Sequence, residues 1–350
     1  MIETNCSLKA FNTFSIDATT QILFHLSDLK QLDELLPLVK QMRVKNKPIL
    51  ILGAGSNILF CEDFSGLIIK VELLGISINS TDNDYILEIG AGENWHDLVT
   101  YCIDNYMGGL ENLALIPGVV GAAPVQNIGA YGCEFKDFCV ALEYLDLETG
   151  KLHILSNAQC KFAYRDSIFK QQNMRNALIT KVTLKLTKKW QPLQRGASLT
   201  ATEIKELSAK KIYQSICQVR AQKLPDPTRI GNAGSFFKNP VVNKKLADKL
   251  RVENPNMPYY PQSEGRVKLA AGWLIEKAHL KGRQIGGAAV HQQQALVLIN
   301  KDNASANDVI KLAELVRKSI KDKFNIELQH EVRFIGKLGE INLAKAIENV

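Results

Sequence analysis

Apolar residues recur along this chain in two rhythms, and the changes between them mark out its elements. From Leu29 to Lys47 they fall at Leu32, Leu35, Leu36 and Val39, the spacing of one helix face, and Pro48-Ile-Leu-Ile-Leu52 behind it reads as a buried strand. That strand runs straight into Gly53-Ala-Gly-Ser-Asn57, and a second apolar run, Gly66-Leu-Ile-Ile-Lys-Val71, follows. Tyr85 to Ile89 alternates like a strand, and Asn94 to Asn105 has the pattern of a short amphipathic helix. Val140 to Leu147 and Lys151 to Leu155 flank Glu148-Thr-Gly150, which predicts a hairpin, and Ala177 to Leu186 is another β-branched run.

Past residue 225 the texture changes. Leu224-Pro-Asp-Pro227 is extended, because each proline biases the residue before it away from helix. The spacing predicts a helix over Val267 to His279, a strand over Ala288 to Ile299, and a helix from Ser305 to about Lys323, opened by Ser305 with Asp308 three residues on. Glu327 to Ile335 reads as the last strand and contains Glu331-Val-Arg333.

Composition narrows the class. With 350 residues, 46% apolar and 23% charged, the chain suits two or three globular domains and neither a disordered nor a fibrous protein. No run of about eighteen apolar residues predicts a membrane span, and the N-terminus lacks a secretory pattern. Cys6, Cys61, Cys102, Cys133, Cys139, Cys160 and Cys217 are odd in number and unpaired in spacing, as expected of reduced thiols in the cytoplasm rather than of disulfides or a metal site. None of them has a flanking motif that marks a nucleophile. Charge is uneven: Lys181 to Arg283 holds 21 basic and 7 acidic residues, whereas the rest of the chain holds 22 and 29. A basic third in an otherwise acidic chain points to an anionic ligand, either nucleic acid or a phosphorylated small molecule. No nucleic-acid-binding signature accompanies it.

Five segments have the composition of sites. Gly53-Ala-Gly-Ser-Asn57 at a strand end is either a phosphate-cradling loop or an ordinary glycine turn. Ile58 stands where a dinucleotide fingerprint needs its third glycine. Leu115-Ile-Pro-Gly-Val-Val-Gly-Ala-Ala-Pro-Val-Gln-Asn-Ile-Gly-Ala-Tyr-Gly132 is almost uncharged and fits main chain wrapped round a flat ligand, with Gln126 and Asn127 giving hydrogen bonds. It fits a tight interdomain turn as well. Tyr164-Arg-Asp-Ser167, Gly231-Asn-Ala-Gly-Ser-Phe-Phe-Lys-Asn-Pro240 and Glu331 are ambiguous singly, and Ser235 lacks the surroundings of a hydrolase elbow.

In this order the five segments closely resemble the UDP-N-acetylenolpyruvoylglucosamine reductase (MurB) family of peptidoglycan synthesis, over nearly the whole chain. Val267-Lys-Leu-Ala-Ala-Gly-Trp-Leu-Ile275 and Gly286-Gly-Ala-Ala-Val-His291 resemble the subgroup with an extra substrate-binding insertion. The resemblance implies an α+β fold: a vanillyl-alcohol-oxidase-like (PCMH-type) scaffold of two subdomains that holds FAD, plus a separate α+β substrate-binding domain. The expected boundaries are 1–70, with 325–350 returning to it, then 71–224, then 225–324 for the substrate domain.

It further implies a cytoplasmic, monomeric enzyme of cell-wall biogenesis, and so of cell shape and division. FAD is expected to be non-covalent, since the first loop has no histidine, and NADPH is expected as co-substrate. No nucleic-acid or membrane partner is expected. FAD contacts are expected from Gly53, Ala54, Gly55, Ser56, Asn57 and Ile58. Further contacts are expected from Ile116, Pro117, Gly118, Gly121, Ala122, Gln126, Asn127, Gly129, Ala130, Tyr131 and Arg220. Arg165 and Glu331 resemble the pair that stabilises an enolate-like intermediate, and Ser235 resembles the general acid. Lys223, Asn239, Tyr260, Lys281 and Gln294 resemble substrate contacts, the two lysines suiting a diphosphate.

Two positions depart from the family. No tyrosine follows Trp190-Gln-Pro192, where the subgroup places one over the substrate, although Arg195 stands nearby. His330 precedes the acidic residue where proline is common. Two rivals differ in chemistry. A related flavin oxidase has no need of Ser235, Lys223 and Lys281, and a non-catalytic nucleotide- or RNA-binding protein would purify colourless with salt-sensitive binding.

Overall fold

The predicted hairpin forms for a local reason. Asp146 accepts the Glu148 N–H and the Thr149 hydroxyl, both at 2.9 Å, and this turns Cys139–Asp146 back onto Lys151–Ser156. The computed structural model to which this hairpin belongs describes residues 1–193 and 207–348. It is an α+β protein whose chain divides into two compact units.

The first unit takes residues 1–4, 22–54 and 66–220. Its five-stranded sheet runs Lys151–Ser156, Cys139–Asp146, Ala177–Thr187, Asp84–Gly90 and Ile76–Ser80, with every pair antiparallel. Ile49–Leu52 lies parallel to Phe64–Val71, and their continuous apolar runs suit strands covered on both faces. The helix Leu32–Val44 buries Leu35, Val39 and Met42, the face that the spacing marked. The helix Trp95–Asp104 starts at Asn94, whose side chain accepts the N–H groups of His96 and Asp97. Trp95 is buried in this core and meets the need of its indole N–H by donating to the Leu113 carbonyl at 3.0 Å.

The second unit takes residues 5–21, 55–65 and 221–350. One antiparallel sheet orders Gly231–Ser235, Val297–Asn300, Ala288–Val290 and Gln284–Ile285, and another orders Val241–Asn243, Arg266–Leu269 and Tyr259–Pro261. The helix Ala306–Phe324 buries Val309, Leu312, Val316 and Ile320 along one face. Among the described residues no helix is long and apolar enough to cross a membrane.

Four expectations differ from the structure, and one is the last strand, which is Arg333–Gly336 and leaves Glu331 in the segment before it. The helix spaced over 267–279 is only Ala271–Lys277, because Arg266–Leu269 is taken as the central strand of a sheet. The run 288–299 is two strands that fold back on each other. The first seventy residues do not stay in one body: 5–21 and 55–65 join the second unit. Hydrogen bonds hold them there, from Thr13 Oγ1 to the Asn232 carbonyl (2.7 Å), Asn300 Nδ2 to the Phe14 carbonyl (3.0 Å) and the Cys61 N–H to Ile335 (2.7 Å). Arg333–Gly336 returns to pair in parallel with Ile58–Phe60, but both strands lie in the second unit. The chain passes from the first unit to the second between 220 and 221.

The long helix of the second unit offers a test. Ser305 Oγ accepts the Asp308 N–H at 3.1 Å, and Asp308 accepts the Ser305 N–H at 2.9 Å, closing a capping box. Ser305→Ala leaves Asp308 N–H without its acceptor and is expected to cost about 1 kcal/mol. A fall in Tm of about 2–4 °C in thermal unfolding is the expected readout.

Candidate functional site

In the first unit the glycine- and alanine-rich loop is fixed from the side by Ala163–Ser167. Ser167 Oγ donates to the Val125 carbonyl (2.7 Å), Asn127 Nδ2 to the Ala163 carbonyl (3.1 Å), and Arg165 Nη2 to the Gly129 carbonyl (3.0 Å). Asn127 is fully buried. Its amide also donates to Glu134 and accepts the Lys136 N–H, so its side chain faces protein and not a ligand, unlike the sequence expectation. Within the loop, Ile116, Pro117 and Gly118 lead into the single 3-10 turn Val120–Ala122, which includes Gly121. Gln126 follows, and Gly129–Ala130 pairs with Cys133–Glu134. Leu115, Asn127, Tyr131 and Arg165 all adopt left-handed backbone, at a cost of roughly 1–2 kcal/mol each. Such a concentration in one place is a mark of functional segments. The left-handed Arg165 sits at the tip of a turn closed by Ala163 and Asp166, with its guanidinium 5.3 Å from the Tyr164 ring centre.

Arg220, near the end of the helix Ala209–Lys223, lies against the same loop. Its Nη2 donates to the Leu115 carbonyl at 3.1 Å, and Tyr131 lies close enough to act on its charge. Burial pushes its pKa down from the ordinary guanidinium range, with Tyr131 acting in the opposite direction. Among the described residues Arg220 Nε is a fully buried donor without a hydrogen-bond partner. Natural proteins rarely leave such a donor orphaned. A buried N–H beside a small-residue loop fits a cofactor rich in acceptor atoms, as a flavin is. Two further residues, His96 and Tyr213, support this loop without a mark in the sequence. His96 Nδ1 accepts the Leu115 N–H, and the His96 ring stacks on Tyr213. No motif marks either residue.

The Gly53-to-Asn57 loop follows the strand Ile49–Leu52, with Gly53 and Ala54 ending a segment of the first unit and Gly55 beginning one of the second. Gly55 has φ +66°, and a side chain there would strike the Phe11 carbonyl, so only glycine fits. Ser56 and Asn57 follow, and Ile58 is buried as the first residue of the next strand.

In the second unit Asn57 reaches the candidate acid. Its Nδ2 donates to the Glu331 carbonyl (3.3 Å), and its own carbonyl accepts the Arg333 N–H (3.0 Å). Ser235 comes to the same place by a different route. Phe237 bridges His330, Glu331 N–H donates to the Phe236 carbonyl (2.8 Å), and Lys238 N–H donates to Gln329 (2.8 Å). The strand carrying Ser235 is bulged between Asn232 and Ser235, and Gly234 takes φ +68° with open space where a side chain would stand. The bulge leaves Ser235 exposed between a buried Ala233 and a buried Phe236. Asn232, missed in the sequence, holds the bulge by accepting the Gly234 N–H and donating to the Pro225 and Ile230 carbonyls. His330 is largely neutral, since burial lowers its pKa, and its Nδ1–H faces the Val332 carbonyl at 2.6 Å.

Three of the expected substrate residues gather on the short helix Ala271–Lys277. Asn239 Oδ1 accepts the Ala271 N–H (3.0 Å), Gln294 Oε1 lies where a side chain on Gly272 would meet it at 3.3 Å, and Lys281 Nζ pairs with Glu276 (2.8 Å). Tyr260 is half exposed on the strand Tyr259–Pro261, and Lys223 is exposed at the last position of its helix. Arg195 lies outside the described residues. All seven cysteines are free thiols, and burial pushes Cys61, Cys102 and Cys139 up to about 12, which argues against a thiolate nucleophile there.

Comparison with known proteins gives two family matches. Residues 28–156 match the family described as FAD binding domain, and residues 226–335 match UDP-N-acetylenolpyruvoylglucosamine reductase, C-terminal domain. The UDP-N-acetylenolpyruvoylglucosamine reductase of Salmonella typhimurium (strain LT2) is 50% identical over 341 residues, covering 97% of this chain and 99% of that one. The protein of the same name from Escherichia coli (strain K12) is 48% identical over 343 residues, covering 98% and 99%. The crystal structure of UDP-N-acetylenolpyruvylglucosamine reductase from Thermus caldophilus shares the fold, with a TM-score of 0.65 at 23% identity over 95% of this chain and 98% of that one. With matches of this extent joined to the bulged Ser235 strand, the Glu331 segment bonded to Phe236 and the buried loop under Arg220, the chain belongs to the UDP-N-acetylenolpyruvoylglucosamine reductase family.

Proposed function

We propose that the protein reduces the enolpyruvyl group of UDP-N-acetylglucosamine enolpyruvate to give UDP-N-acetylmuramate, with NADPH as hydride donor, in the cytoplasmic synthesis of peptidoglycan precursors. The observation that carries this reading is the exposed Ser235 on its bulge, one residue before the carbonyl that accepts the Glu331 N–H. FAD, when bound non-covalently, supplies a carrier that takes a hydride from NADPH and gives it up to the substrate. The 116–131 loop and Arg220 are the residues that would hold it, Arg220 through its orphaned Nε–H.

The remaining chemistry belongs to side chains. Hydride added to the terminal methylene carbon leaves negative charge on the neighbouring carbon and its carboxylate. The Arg165 guanidinium and the carboxyl of Glu331 stabilise that charge, and loss of one such donor typically costs about 10²–10³ in rate. Ser235 Oγ–H then delivers a proton to the α-carbon. A serine hydroxyl is a weak acid, so it acts here only because the carbon beside the carboxylate has become strongly basic. Lys223 and Lys281 bind the substrate diphosphate, Lys281 exchanging its pairing with Glu276 for the phosphate oxygens.

Ser235→Ala is expected to leave anaerobic bleaching of the flavin by NADPH unchanged and to slow its return on adding the enolpyruvyl substrate by about 10²–10⁴. Return at the wild-type rate would remove Ser235 from the chemistry. Lys281→Ala is expected to raise KM for the UDP-substrate about tenfold with little change in kcat, the cost of one charge-assisted contact. Steady-state kinetics at saturating NADPH separates the two parameters.

A further inference from the structure

The peptide that opens the cofactor loop is gripped from both sides. Leu115, at φ +54°, donates its N–H to His96 Nδ1 at 3.1 Å, and its carbonyl accepts from Arg220 Nη2 at 3.1 Å. The next residues are the Ile116-Pro-Gly118 segment that carries the expected FAD contacts. Trp95, beside His96, fixes the loop on either side of this peptide, its indole N–H on the Leu113 carbonyl and its backbone N–H on Gly118, both at 3.0 Å.

The His96 ring is itself set in place. It stacks on Tyr213 with 5.9 Å between ring centres and 16° between planes, and the Tyr213 hydroxyl bonds Thr100 Oγ1 at 2.8 Å. Thr100 stands one turn beyond His96 and donates to the His96 carbonyl at 3.0 Å. Tyr213 and Arg220 are seven residues apart on the helix Ala209–Lys223, so they share a face. One helix therefore orients the acceptor for the Leu115 N–H and supplies the donor for its C=O.

We propose that His96 is a positioning residue for the cofactor: by accepting the Leu115 N–H it fixes the left-handed peptide that aims the 116–121 loop, while Arg220 fixes the other end and presents its free Nε–H to FAD. The inference rests on FAD binding as read above. His96 accepts at Nδ1 only when that nitrogen carries no proton. Burial opposes protonation most, the Arg220 charge opposes it further, and Asp97 on His96's own helix favours it. From the other helix Tyr213 faces the ring as a neutral phenol, and residues 113–118 of the loop carry no titratable group. The His96 pKa is lowered from that of free imidazole. The bond is thus complete above the ordinary histidine pKa and is lost as the pH falls through the lowered one.

The test compares wild type, His96→Leu and His96→Asn for FAD affinity, read by flavin fluorescence between about pH 5 and 8, the range over which a histidine changes charge. Thermal unfolding of each apoprotein is run alongside. His96→Leu is expected to bind FAD about tenfold more weakly at pH 8, because a buried N–H is left unsatisfied. His96→Asn offers a carbonyl where Nδ1 stood, and is expected to recover affinity to within about threefold, since hydrogen bonds of neutral acceptors are similar in strength. Wild-type affinity falls toward acid pH, and that of His96→Asn does so less. Equal affinity in all three proteins overturns the inference, as does a His96→Asn protein as weak as His96→Leu or with the wild-type pH profile. Should His96→Leu fail to fold, the comparison of wild type with His96→Asn decides alone. A wild-type protein that takes up no FAD would instead overturn the cofactor reading, and this inference with it.

Discussion

A backbone that leaves regular structure in a buried place must still pair its N–H and C=O groups, and that constraint shapes both units. Each unpaired group costs about 1–3 kcal/mol. In the first unit Asn127, Ser167, Trp95 and His96 serve the loop around 113–136, and in the second Asn12, Asn232 and Asn300 serve the turns near Ser235. The left-handed residues Leu115, Asn127 and Arg165 are therefore held where their own preferences would not keep them.

The same constraint explains what could be read from residues alone. Periodicity located the helix Leu32–Val44, the helix Ala306–Phe324 with its cap and the hairpin at Glu148-Thr-Gly150, because burial of one face and local turn chemistry decide those elements. It overextended the helix at Ala271–Lys277, where an apolar run was claimed by a neighbouring strand, a choice that only tertiary pairing makes. Ser235 was ambiguous by itself and gained a role only from the order of the five segments, whereas its bulge depends on pairing that no local pattern shows. Asn127 looked like a ligand contact, yet its amide is spent on Ala163, Glu134 and Lys136. A polar residue in a binding loop has the same composition signal whether it faces the ligand or the protein. His96 gave no signal at all, since its partner is a main-chain N–H nineteen residues away.

The span 226–335 lies wholly in the second unit and contains Ser235, Asn239, Tyr260, Lys281, Gln294 and Glu331. Ser235, the proposed proton donor, and most of the expected substrate contacts thus belong to one body, Ser235 and Tyr260 on strands and Asn239, Lys281 and Gln294 in loops against a short helix. Arg165 and the 116–131 loop are built in the other body, around a core that includes Trp95 and Phe135. In each unit a bent segment, the left-handed residues around Leu115 and Arg165 in one and the bulge before Ser235 in the other, stands in a chain with well-packed aromatics nearby. This lets a strained segment persist without loosening its surroundings.

The scattered make-up of the second unit bears on how the protein is made. Residues 55–65 emerge from the ribosome early, but the strand they pair with, Arg333–Gly336, is nearly the last to be synthesised. At about 5–20 residues per second, the apolar stretch Ile58–Phe60 waits roughly 15–55 s for its partner. The first unit, by contrast, has all its residues once position 220 has been added. Nascent chains of this protein therefore pass through a period in which one body can close while three buried residues of the other still lack the strand they pair with, the stage at which a holdase chaperone would bind.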